Sequence, residues 1–68
     1  MEGGNSMNWK SVFINVTDKQ DVLFAVNKNE IVMIEQGTNC TYITLSTGVT
    51  LETEEGFNAF MNRLYNND

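Results

Sequence analysis

Histidine and proline are absent from these 68 residues, and cysteine occurs once, at Cys40. Without histidine and with a single thiol, one chain can assemble neither the usual zinc sites of several Cys and His ligands nor a nucleophile activated by a His base. A lone cysteine has no disulfide partner, whereas a small secreted domain of this size normally needs two or more bridges, so a reducing, cytoplasmic location is expected. Positive charge is scarce as well. Four Lys plus Arg against nine Asp plus Glu leave a net charge of −5. This is the opposite of the basic footprint required by phosphate backbones, and direct nucleic-acid binding is not expected. Long apolar runs are also missing, the longest aliphatic one being residues 31–34, so no membrane association is expected. Gly37, Gly48 and Gly56 match neither the dinucleotide fingerprint nor the P-loop spacing. No cofactor and no catalytic activity are expected from this inventory.

What the chain does hold is 41% hydrophobic and 19% charged residues, the composition of a globular rather than a disordered or collagen-like chain. Its length allows one domain. Residues 1–8, small and polar apart from their methionines, read as a disordered leader, and residues 9–68 as the domain.

Within that domain Val12, Ile14 and Val16 alternate with Phe13, Asn15 and Thr17, the period of two that marks a strand. A polar break at residues 18–21 and a second apolar run at 22–26 complete a hairpin. Asn27 and Asn29 punctuate the next break, before β-branched residues resume at 31–35. Residues 40–45 form a fourth strand. Ser46, Thr47 and Gly48 reverse the chain into a fifth at 49–52, with Gly48 suited to positive φ. Thr53 is placed as a helix N-cap, with Glu54 and Glu55 in the first turn, where acids complement the macrodipole. Phe57, Phe60, Met61, Leu64 and Tyr65 then form an apolar stripe at helical spacing. The expected fold is α+β: an antiparallel meander of about five strands carrying one C-terminal amphipathic helix.

One helix covers one face of such a sheet, yet the second and third strands carry apolar side chains on both faces. Leu23, Val32 and Ile34 or their alternates therefore need a second cover. Either the sheet curls into a small barrel, or copies of the chain associate; the homo-oligomer is the expectation favoured here.

The run Val26-Asn27-Lys28-Asn29-Glu30-Ile31-Val32-Met33-Ile34-Glu35, then Ile43-Thr44-Leu45-Ser46-Thr47-Gly48 and a helix behind an acidic pair, resembles the FlbD-type flagellar accessory proteins. Their pattern has the form V-N-x-x-x-I-x-x-I-E followed by I-T-L-x-x-G. The same layout is similar to the first half of a LytTR-type DNA-binding domain. The first resemblance implies a cytoplasmic motility accessory without catalytic activity; the second is one of strand arrangement.

Three groups of residues are candidates for function. Asp18, Asp21, Glu30, Glu35, Glu54 and Glu55, with Glu52, are carboxylates able to stand in for phosphates against a basic protein surface. On that reading the chain is a small acidic interaction module that binds and inhibits a larger, nucleic-acid-handling protein. Its ten asparagines and one-domain layout are like those of phage-encoded antagonists of host nucleases or defence complexes. The alternative is an oligomer sequestering a nucleotide-like signal, with Trp9, Phe13, Tyr42 and Tyr65 stacking on bases and Lys10, Lys19, Lys28 and Arg63 meeting phosphates. Glu52, Glu54 and Glu55 are near enough in sequence to attract a hard cation, but a solvated helix start accounts for them more simply, and no metal is expected. Cys40, with no cation near it in sequence, reads as a small packing residue.

Overall fold

A computed structural model of the chain describes residues 12–66; the expected leader, Trp9 and Lys10 lie outside the described residues. Five antiparallel strands and one helix follow in the order β1 (Phe13–Thr17), β2 (Leu23–Asn27), β3 (Ile31–Gly37), β4 (Cys40–Leu45), β5 (Thr50–Thr53) and α1 (Phe57–Asn66). The architecture is α+β, as the hydropathy pattern predicts, with a break that it does not show. β1 and β2 form one sheet and β3-β4-β5 another, and the two do not close into a barrel. Asn27 causes the break locally. Its side chain accepts a hydrogen bond from the Asn29 backbone N–H at 2.9 Å and starts a 3₁₀ turn at Lys28–Glu30, so the chain rounds a corner instead of reversing as a hairpin.

Lys19 N–H donates to the Glu52 carbonyl at 3.0 Å and so docks the β1–β2 loop on β5, while Ser46 N–H donates to the Glu30 carbonyl at 2.7 Å and continues the β3–β4 ladder into the corner between the sheets. The alternation in β1 sends Ile14 and Val16 inward, opposite Val26 and Phe24 of β2. Together with Val26, Ile43, Leu51 and Phe60 they form the buried core, flanked by Phe24, Ile31, Ile34, Leu45 and Leu64.

Turn chemistry follows the sequence closely. Gly48 takes φ +94° and Asn39, in the two-residue loop between β3 and β4, takes φ 59°; both belong to residue types that tolerate the left-handed region. Gly37 is needed for a different reason. A Cβ there would stand 2.6 Å from Cys40 Sγ and 2.6 Å from a Tyr42 ring carbon. Cys40 is buried and free of disulfides.

The helix start departs from expectation. Thr53 closes β5, and its hydroxyl accepts from Glu55 N–H at 3.3 Å, so it shapes the loop rather than capping the helix. Glu54 and Glu55 precede α1, whose first turn holds no acid. The Gly56 carbonyl accepts from Phe60 N–H at 2.9 Å, which places Gly56 at the helix boundary, where glycine is tolerated, and not inside a turn. Of the apolar stripe, Phe60 is 0% exposed while Tyr65 is 77% exposed. At 100° per residue, Phe57, Met61 and Leu64 share one direction, Phe60 lies about 60° round from it and Arg63 about 60° further. Tyr65 falls on the opposite flank.

Candidate functional site: an acidic cleft beside exposed apolar side chains

The β1–β2 loop is built by one side chain. Asp18 Oδ1 accepts from Gln20 N–H at 2.9 Å and from Val22 N–H at 3.0 Å, while its own N–H donates to the Val22 carbonyl at 3.0 Å. An aspartate bonding to the backbone a few residues on is a recurrent way to rigidify a turn. Asp21 sits at φ 68°, and the chain then presents Val22 and Leu23, the latter 65% exposed. A loop organised in this way holds two carboxylates and two apolar side chains side by side.

Across from it stands the junction between β5 and α1, fixed by Arg63. The guanidinium clamps Glu55 with two parallel hydrogen bonds, Nε to Oε2 at 2.9 Å and Nη2 to Oε1 at 2.7 Å. Nη2 also donates to the Asn15 carbonyl at 2.7 Å, and the guanidinium lies 5.7 Å from the Phe60 ring centroid. Bidentate pairing is the geometry that makes such contacts strong. The Arg63 pKa is raised from its ordinary value by the hydrogen bond to Glu55, with partial burial opposing. From below, Thr41, buried in β4, donates its hydroxyl to the Glu55 carbonyl at 2.8 Å.

Between loop and junction lies a polar cleft of about 430 Å³, lined by Asp18, Lys19, Asp21, Glu54, Glu55 and Arg63 together with Asn15, Thr17 and Thr53. Four of the six carboxylates expected to meet a partner converge here. The other two do not. Glu30 lies at the corner between the sheets, hydrogen-bonded to the Ser46 hydroxyl. Glu35 lies on the outer face of the three-stranded sheet, opposite Tyr42.

The residues proposed for a nucleotide are not gathered. Tyr42 belongs to the outer sheet face between Glu35 and Glu52, and Arg63 is committed to Glu55 and Asn15. The Tyr42 phenol is raised above its ordinary 10.0, first by its hydrogen bond to the Cys40 side chain and repulsion from that group, then by the Glu52 and Glu35 carboxylates. Among the described residues no three His, Cys, Asp or Glu converge to hold a metal ion. Glu52 is paired with Lys19 at 3.4 Å and Glu55 with Arg63, so the three glutamates close in sequence are not a joint site. No helix of the described residues is long and apolar enough to cross a membrane.

Sequence reasoning missed Thr41, Asn15 and Thr53 as builders of this cleft. Only Thr41 carried a signal, since it shares the parity of Ile43 and Leu45 on the inward face of β4. Comparison with models of known families, with curated proteins and with solved structures returns no match.

Proposed function

We propose that this chain is a non-catalytic interaction module that binds a basic, nucleic-acid-handling protein and modulates it by occupying its surface. One observation carries the reading: the loop built by Asp18 presents exposed Val22 and Leu23 next in the chain to Asp21, which lines one cleft together with Asp18, Glu54 and Glu55. Apolar anchors rimmed by charge are the usual anatomy of a protein interface, in which the anchors supply affinity and the charges supply steering and choice of partner. Glu55 is neutralised locally by Arg63 and serves mainly to hold the cleft's shape. Asp21 and Glu54, both exposed, are the groups facing a partner. The acidic cleft and a basic surface would attract at distances up to about a Debye length, roughly 8 Å at physiological salt. An inhibitor of this design competes for the groove that its target offers to phosphates.

The test is capture from host lysate on immobilised chain, wild type against a variant carrying Asp21→Lys and Glu54→Lys together. Neither side chain contributes to the core, but lysine is less favoured than aspartate at the left-handed φ of Asp21, so the variant is expected to remain folded and to melt slightly below the wild type. The reading requires a basic protein that the wild type retains and the variant releases. Equal retention by both would refute it.

A further inference from the structure

One edge of the β1–β2 hairpin stays open among the described residues. Asp18 N–H donates to the Val22 carbonyl, which sets the alternation of the ladder: Phe24 and Val26 turn their backbone groups toward β1, and Leu23 and Ala25 turn theirs away from it. The Asn15 carbonyl, opposite Ala25 in the register, faces out on the β1 side in the same sense and is taken by Arg63 Nη2 at 2.7 Å. Among the described residues no partner meets the N–H and C=O groups of Leu23 and Ala25. We propose that a basic partner binds by laying an extended segment along this edge of β2 as a third strand of the hairpin sheet, with a lysine or arginine of that segment beside Asp21. The inference rests on the function proposed above and names its mode of recognition.

The first argument is how differently the fold treats its edges. A bare strand edge invites pairing with another chain, and folded proteins blunt such edges with charge, irregular register or a covering contact. The other three edges here are blunted. Arg63 covers β1 at Asn15, Lys19 N–H covers β5 at the Glu52 carbonyl, and β3 carries Glu35 and a register shift between Ile31 and Met33. β2 has no charge, no proline and no shift in register. Its five residues are a common strand length, and an added strand gains its affinity from backbone hydrogen bonds of the kind that Leu23 and Ala25 offer.

The second argument is what fits beside that edge. Leu23 stands opposite Thr17 and Ala25 opposite Asn15, and residues opposite one another in an antiparallel pair share a face. Thr17 and Asn15 line the acidic cleft, so the face of β2 that carries the exposed Leu23 is continuous with it. Asp21, in the lining of the same cleft, stands at the entry to the strand. A segment on this edge meets apolar side chains along its length and a carboxylate at one end, which suits alternating apolar and basic residues. A second copy of this chain would instead bring its own net charge of −5 to the same place.

The test is an NMR titration of the full chain at low salt with a synthetic peptide of about seven residues that alternates valine and lysine, against the same peptide with glutamate in place of lysine. The expected result is a Kd below about 1 mM for the lysine peptide, with shift changes and slowed hydrogen exchange at the Leu23 and Ala25 amides. Leu23→Lys and Ala25→Pro should each weaken binding at least about tenfold. Ala25→Pro removes a donor that faces away from the ladder, a place where an edge strand accepts proline. Leu23→Lys changes only an exposed side chain and keeps the result readable if the proline variant fails to fold. No binding of the lysine peptide up to about 1 mM overturns the proposal, as does equal binding of the glutamate peptide or a response confined to β3 or β5. Amides of β2 that shift with protein concentration alone would assign the edge to a second copy and also overturn it. The two readings fail separately: a basic protein that is released by the Asp21→Lys, Glu54→Lys variant but held unchanged by Leu23→Lys and Ala25→Pro leaves the cleft reading standing and removes the added strand.

Discussion

The two sides of α1 are built on opposite principles. On one, Phe57, Met61 and Leu64 border an apolar groove whose rim carries the single charge of Lys28. On the other, Arg63 anchors a polar cleft in which four carboxylates converge. Phe60 lies between them and is wholly buried. A ten-residue helix thus separates a surface governed by dispersion and hydration from one governed by charge pairing. The separation has a physical rationale: a small acidic chain that needs both kinds of surface must keep its carboxylates away from the apolar one, because burying an unpaired charge is far costlier than leaving it in water.

The most severe way to break this contrast is Phe60→Ala, which removes the element common to both sides. A buried Phe→Ala substitution costs about 3 to 5 kcal/mol, comparable to the whole stability of so small a domain, and circular dichroism should show an unfolded or barely folded chain at 37 °C. An unchanged melting curve would mean that α1 does not pack as described.

Met61→Ala and Arg63→Ala sharpen the contrast. Met61 is half-buried, so its loss should cost roughly 1 to 2 kcal/mol, below the range for fully buried residues. Arg63 and Glu55 are partly exposed, and the pair should contribute about 1 kcal/mol, in line with well-formed but solvent-screened ion pairs. Salt distinguishes them. In chemical denaturation with urea, the Arg63→Ala penalty should shrink as sodium chloride is added, whereas that of Met61→Ala should not.

The smallest effect lies on the outer face of the three-stranded sheet. Because folding raises the Tyr42 pKa above 10.0, the folded state holds this proton more tightly than the unfolded chain does. The associated stability is fully present below pH 10 and is lost as pH rises through the folded-state pKa. Tyr42→Phe should therefore lower stability slightly at neutral pH, where the hydrogen bond to Cys40 is lost, and flatten the alkaline part of the profile. A profile with the same alkaline slope in both proteins would count against the Cys40, Glu52 and Glu35 environment.

Strand and helix positions were legible because they depend on local periodicity. The alternation of Ile14 and Val16 with Asn15 and Thr17, and the stripe through Phe60, place their elements within a few residues. The break between β2 and β3 was not, because it depends on the Asn27 side chain choosing a local backbone partner over a hairpin. The gathering of Asp18 and Asp21 with Glu54 and Glu55 was hidden for a different reason: it needs the Lys19–Glu52 docking and the Arg63 contact with Asn15, which join residues more than 30 positions apart. Of the carboxylates that sequence reading groups, Asp18, Asp21, Glu54 and Glu55 line one cleft while Glu30 and Glu35 lie elsewhere, since spacing alone does not distinguish the acids that share a cleft from those that face another way. Thr53 as a helix cap failed because β5 ends one residue later than its hydropathy indicates.

The central claim is that the charged side of α1 recognises a basic partner, and its most direct test is the affinity of the wild-type chain for its captured partner at about 50 and about 300 mM salt. The account predicts a Kd that rises more than about tenfold between the two, with the Asp21→Lys, Glu54→Lys variant weak in both conditions. An affinity that stays constant with salt, or a variant that binds as tightly as the wild type, would contradict it.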